Sequence, residues 1–208
     1  MLKRTKGYVL LTLLVVTGLA GTISDTTLSK KERKFASDHL KDTKSEVLRS
    51  VEGLSPAQLD FKSAPDRWSI KECVYHIALA ERNLWHMMES SMSTQANPEK
   101  RSEIKVTDDQ FIKMIEDRSS KVKTTEAFEP KNATWKSVDE ALTDFKNQRN
   151  DHVKYLKNTT EDMRNHVVQM PFGSIDCYQL CLMMSAHSDR HTQQINEVKS
   201  DPNFPKRK

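Results

Sequence analysis

Two histidines stand four residues apart in AHSDRHTQQI, residues 186–195. On a helix, positions i and i+4 share one face a turn apart, so the imidazoles of His187 and His191 can reach a common ion. Neutral imidazole nitrogens suit zinc, nickel or ferrous iron. Two ligands do not make a site, and the same spacing serves a pair of polar residues on one face.

A third histidine lies in KECVYHIALAER. At about 100° per residue, His76 falls beside the apolar stripe of Ile70, Val74, Ile77 and Leu84. Cys73, Ala80 and Met87 project close to it. A histidine there must find a partner or stay neutral at a cost; a satisfied core residue and a ligand are both open readings. On the later helix Leu180, Met183 and Met184 share the face of His187 and His191. Gln194 lies one turn beyond, placed to hold a water or a substrate group. The sequence thus nominates His76, His187 and His191 as a metal centre, lined by Cys73, Met87, Met183, Met184 and Gln194. His39, His86, His152 and His166 fall off the pattern and read as surface or rim residues. No general base is evident, because Glu81 points away from His76 and Asp189 lies on another face from the later pair.

The elements that must position these residues are helical. Phe35, Leu40, Val47, Leu48 and Val51 recur at helical spacing over roughly 29–52, and Gly53 and Pro56 end that helix. A connector with two prolines follows, whose Leu59, Phe61 and Trp68 are expected to pack on the core. Ser69-Ile70-Lys71-Glu72 is a capping box opening a second helix that runs to about residue 91. Residues 92–136 form a long crossover with one short helix starting at Thr107, where the acidic first turn suits the helix dipole. Ser137-Val138-Asp139-Glu140 opens the next helix, with Ala141, Leu142, Phe145, Val153 and Leu156 on one face. Pro171-Phe172-Gly173 makes a turn, and the last helix is expected over about 175–199. The predicted fold is all-α, a four-helix bundle with a long crossover between its second and third helices.

Charged residues make up 30% of the 208, aromatics 7%, and there are only five glycines, a balance that suits such a bundle. The amino terminus differs. MLKRTKGYVLLTLLVVTGLAG has a basic start, a short apolar run from Tyr8 to Val16 and small residues at Gly18, Ala20 and Gly21, the pattern of a secretory signal. The run is short for a membrane span, so cleavage after Ala20 and a periplasmic or secreted location are expected; an uncleaved segment would instead be an anchor. Of the net charge of +4, residues 1–20 carry Lys3, Arg4 and Lys6 and no acid, which leaves +1. A nearly neutral chain has no general field for nucleic acid. The expected organisation is a signal peptide at 1–20, a lead-in at 21–34, the bundle at 35–205 and a basic tail at 206–208. Cys73, Cys177 and Cys181 are odd in number. Cys177 and Cys181, four apart on a helix, suit disulfide geometry badly, so all three read first as small buried apolar side chains. A redox pair is the alternative.

Three pieces in order resemble the DinB/YfiT-like superfamily of metal-binding four-helix bundles. LSPAQLDFKSAPDRWSIKECVYHIALAE is similar to its connector, its Trp-Ser helix entry and its histidine ligand followed by an acid. FGSIDCYQLCLMMSAHSDRHTQQI looks like its Phe-Gly turn and His-x-x-x-His helix, and VKSDPNFPK like its ending. The resemblance implies that His76, His187 and His191 hold a divalent metal, zinc or nickel before iron, with positions left open to water or a small-molecule substrate. It also implies metal-dependent hydrolysis or thiol S-transfer using bacillithiol or mycothiol, while the triad without an evident base leaves metal or small-molecule binding without catalysis as the alternative. Export would place the chain where such thiols are scarce, which disfavours thiol transfer and leaves metal-activated water or no catalysis. Some relatives dimerise, so a homodimer is a further expectation.

Overall fold

A computed structural model of the chain describes residues 27–206; the expected signal peptide lies outside the described residues. The main helices begin where short polar side chains satisfy the free amides of a first turn. Ser29 caps α1 (Lys30–Val51), Ser69 caps α3 (Ile70–Met92) and Thr107 caps α4 (Asp108–Glu116), each in a reciprocal box with the residue three positions on. Ser137 and Asp176 accept the N3 amides of α5 (Val138–Asn158) and α6 (Cys177–Lys199). A single turn, α2 (Pro56–Leu59), interrupts the connector. Gly53, at φ 66°, turns the chain out of α1 in a conformation that favours glycine.

Helices α1 and α3 each pack against both α5 and α6. The core divides into two clusters at opposite ends of the bundle. One contains Leu40, Leu84, Met88, Leu156, Leu180 and Met184, the other Val47, Val51, Ile70, Val74, Phe145, Ile195 and Val198. Following each helix from one cluster to the other gives its direction: α1 and α6 run one way, α3 and α5 the other. Because α3 and α5 point the same way, the chain must travel back along the bundle between them. The crossover makes that return, carrying α4 against α6 and three 3-10 turns at Pro98–Glu103, Glu126–Phe128 and Pro130–Asn132. No helix among the described residues is long and apolar enough to cross a membrane.

Three details depart from the sequence reading. The last helix starts at Cys177 rather than Ile175, because Ile175 belongs to an antiparallel hairpin of β1 (Val167–Met170) and β2 (Gly173–Asp176). Asp176 ends that hairpin and caps α6 in the same position. Phe35, expected on the apolar face of α1, is 42% exposed and stacks on His39. His152 and His166 are buried rather than at the surface. His152 bonds Glu81 and stacks under Trp85 with centroids 3.8 Å apart, while His166 donates to the Ser91 carbonyl. A partner from a distant element engages Nδ1 of each ring, which offsets part of the cost of burying it.

Where the bundle's four helices meet, one guanidinium touches all of them. Arg149 of α5 is fully buried and forms a two-pronged pair with Glu81 of α3 at 2.8 and 2.6 Å. It also donates to the Leu40 carbonyl and Thr43 hydroxyl of α1, and to the Met184 carbonyl and Ser188 hydroxyl of α6. Burial alone would raise the Glu81 pKa, but Arg149 and His152 outweigh it and hold the carboxyl at about 2.

Candidate metal centre

The box at Ser69 fixes the start of α3 and sets His76 two turns in, facing α6. His187 and His191 occupy consecutive turns of α6 on the face turned toward α3. Ligand-capable atoms of all three lie within 4.8 Å of one another, the one such group of histidines, cysteines and acids among the described residues. The His76 and His187 Nε2 atoms are 3.0 Å apart. The ring centroids of the three are separated by 4.3 to 4.7 Å. Nitrogens bonded to one ion at about 2.05 Å sit roughly 3.3 Å apart in a tetrahedron and about 2.9 Å apart on an octahedral face. The pair from the two different helices already has that separation.

Hydrogen bonds on the far side of the rings orient two of them. His76 Nδ1 donates to the Phe128 carbonyl at 2.6 Å, which leaves Nε2 as a lone pair aimed at the cluster. His191 Nδ1 donates to Gln194 Oε1 at 2.9 Å, with the same consequence. An outer acceptor on the distal nitrogen is how proteins commonly fix the tautomer of a ligating imidazole. Burial pushes the His76 pKa down to about 4, against the opposing effect of the Phe128 bond. Burial and the neighbouring rings push His187 and His191 well below the ordinary value. All three are therefore neutral at neutral pH, the form that binds metal. Trp68, just before α3, lies against two of the rings, at 4.8 Å from His76 and 5.9 Å from His191. His187 keeps partial exposure while the other two are buried.

The crossover closes over this face. From the last turn of α4 onward it is held to α6: Arg190 donates to the carbonyls of Ile115, Asp117 and Ser120, and Gln193 to that of Glu116. Arg118 makes a two-pronged pair with Glu197, both bonds 2.7 Å, and its remaining nitrogen is 3.5 Å from Gln194 Oε1. The chain then reaches α3, where Asn83 donates to Ala127 and Phe128 receives His76. A backbone carbonyl and an arginine over forty residues from either histidine leave no local spacing signal in the sequence, so neither is legible there.

The residues nominated as lining fall into different surroundings. Cys73 is fully buried in one core cluster and Met184 in the other, while Met87 and Met183 are half-buried against the latter. Gln194 spends its oxygen on His191. Glu81 serves Arg149 and His152, and Asp189 accepts from Gln193. The three cysteines are free and buried, and burial raises the Cys73 thiol to about 12. Clefts of about 440–610 Å³ elsewhere on the surface include none of the three histidines or of the five residues nominated as lining.

Residues 39–195 match the family model described as the DinB superfamily. Among solved structures the chain is similar to YfiT from Bacillus subtilis, described as a probable metal-dependent hydrolase with an unusual four-helix bundle topology. The TM-score is 0.59 and the identity 15%, over 86% of this chain and 92% of that one. No curated protein matches the chain at a significant level.

Proposed function

The chain belongs to the DinB superfamily, and from that premise we propose that it is a divalent-metal-dependent enzyme of hydrolytic type. The observation that carries this reading is the convergence of His76, His187 and His191 from two helices, with two distal nitrogens already engaged by acceptors. Three imidazoles are fewer protein ligands than a closed structural zinc site uses, so positions remain for water or substrate. Zinc or nickel fits this all-nitrogen donor set best, with ferrous iron next. When bound, the ion supplies Lewis-acid activation of water or of a substrate oxygen.

The chain's own residues do the rest. Neutral ligands leave the full charge of the ion for the reaction. The Phe128 carbonyl and Gln194 hold the two rings in orientation, and Trp68 packs against both. The basic, apolar and small-residue order of the amino terminus supports a location outside the cytoplasm.

Panel assays on ester, amide and phosphoester substrates test the proposal. Turnover should vanish on metal stripping, return with zinc or nickel, and be absent in His76→Ala. Turnover that survives both stripping and the substitution would refute it. That the three-histidine group contains no carboxylate favours a second reading, a metal- or ligand-holding bundle without catalysis. It predicts metal-dependent stability without turnover on any substrate class.

A further inference from the structure

Gln194 can face His191 in two ways, and the difference decides whether His191 can bind a metal. With Oε1 toward the ring, Nδ1 carries the proton and Nε2 offers a lone pair. With the amide turned over, its N–H would face Nδ1, make that atom the acceptor and move the proton to Nε2, where it blocks coordination. Nothing on α6 itself selects between these. The selecting group comes from the crossover. Arg118 nitrogen lies 3.5 Å from Gln194 Oε1, at the long limit of a hydrogen bond, and a guanidinium can only donate. An amide nitrogen in that position would set donor against donor. The guanidinium is itself anchored by the two-pronged pair with Glu197, one helical turn beyond Gln194.

We infer that Arg118 is a positioning residue of the metal centre: clamped by Glu197, it locks the Gln194 amide with its oxygen toward His191, and so keeps the His191 Nε2 lone pair available to the ion. This inference rests on the metal-binding reading above. It gives the crossover a second role beyond returning the chain. His76 is oriented by Phe128 and His191 by Arg118 through Gln194, so both ends of one segment set the two helices' ligands. Folding of that segment and loading of the centre are therefore linked.

Zinc affinity, measured by competition with a chromogenic chelator, tests the inference on the full chain. Arg118→Ala should bind zinc about tenfold more weakly, as removal of outer-sphere partners does elsewhere. Gln194→Ala should lose at least as much. The double variant should be no worse than Gln194→Ala alone, because Arg118 acts only through the amide. Metal-free thermal unfolding should move by no more than a few degrees in Arg118→Ala, which separates positioning from general destabilisation. Glu197→Gln, at an exposed site, supplies a second route if Arg118→Ala folds poorly: it releases the clamp and should weaken zinc by a few fold. Wild-type affinity in Arg118→Ala or, should that variant fold poorly, in Glu197→Gln overturns the inference, as do losses that multiply in the double variant. If the wild type itself takes up no divalent metal, the proposed function falls along with it. Tight binding in the wild type beside an indifferent Arg118→Ala sinks the positioning role alone.

Discussion

Burial acts on single residues here in opposite directions. It keeps the three clustered imidazoles neutral, and it raises the Glu116 pKa to about 7, helped by the charges of Asp189 and Glu46. Glu116 faces His39, with 3.6 Å between Nε2 and Oε1. A carboxyl whose folded pKa lies above its unfolded value binds more protons folded than unfolded between about pH 4.5 and 7, so its contribution is lost as pH rises through that window. Glu116→Gln should therefore stabilise the metal-free protein at pH 8 by on the order of 1 kcal/mol, a discounted figure because the group is partly exposed. The gain should fade to nothing near pH 4.5. Thermal melts across that range check the sign, and equal stability of the two proteins at pH 8 would contradict it. The histidine pair of α6 was legible because both residues obey one helix period. The burial of His152 and His166 was not, since their partners Glu81 and Ser91 lie in elements that only the fold brings near.

Among the elements, the starts of α1, α3 and α4 were written locally, in serine or threonine followed three residues later by glutamate or glutamine. Ser69 caps the helix that carries His76. Ser69→Ala should cost about 1 kcal/mol in urea unfolding, with metal affinity less affected than stability. A cost below a few tenths would mean the cap is not holding α3. The hairpin before α6 escaped the sequence reading because four-residue strands carry too few positions to show alternation, and Asp176 closes both the hairpin and the helix start. The direction of α5 was equally hidden: nothing local states that it runs parallel to α3, although the length of the crossover is what that arrangement demands.

At the scale of the whole molecule, Arg149 joins all four long helices. Glu81→Ala would leave its charge buried without a countercharge and should cost roughly 3–5 kcal/mol, read as a lowered midpoint in denaturant. Loss of under 1 kcal/mol would show that water or rearrangement compensates. Metal should act at the same scale. Zinc at about a thousand times its dissociation constant should stabilise the wild type by roughly 4 kcal/mol, by mass action on the folded state alone, and His187→Ala should lose most of that shift. Helix count and crossover were legible as composition and period; the junction at Arg149 was not, because an arginine in a helix reads as surface until four backbones enclose it.

Whether the three histidines hold one metal ion is read from the stoichiometry of an equilibrium zinc titration of chelator-stripped protein, beside His76→Ala and His187→Ala. One tightly held ion per wild-type chain is expected, with its loss or severe weakening in each variant, although the two histidines come from different helices. A wild type that binds no ion, or variants that retain it at wild-type affinity, would contradict a shared three-histidine site.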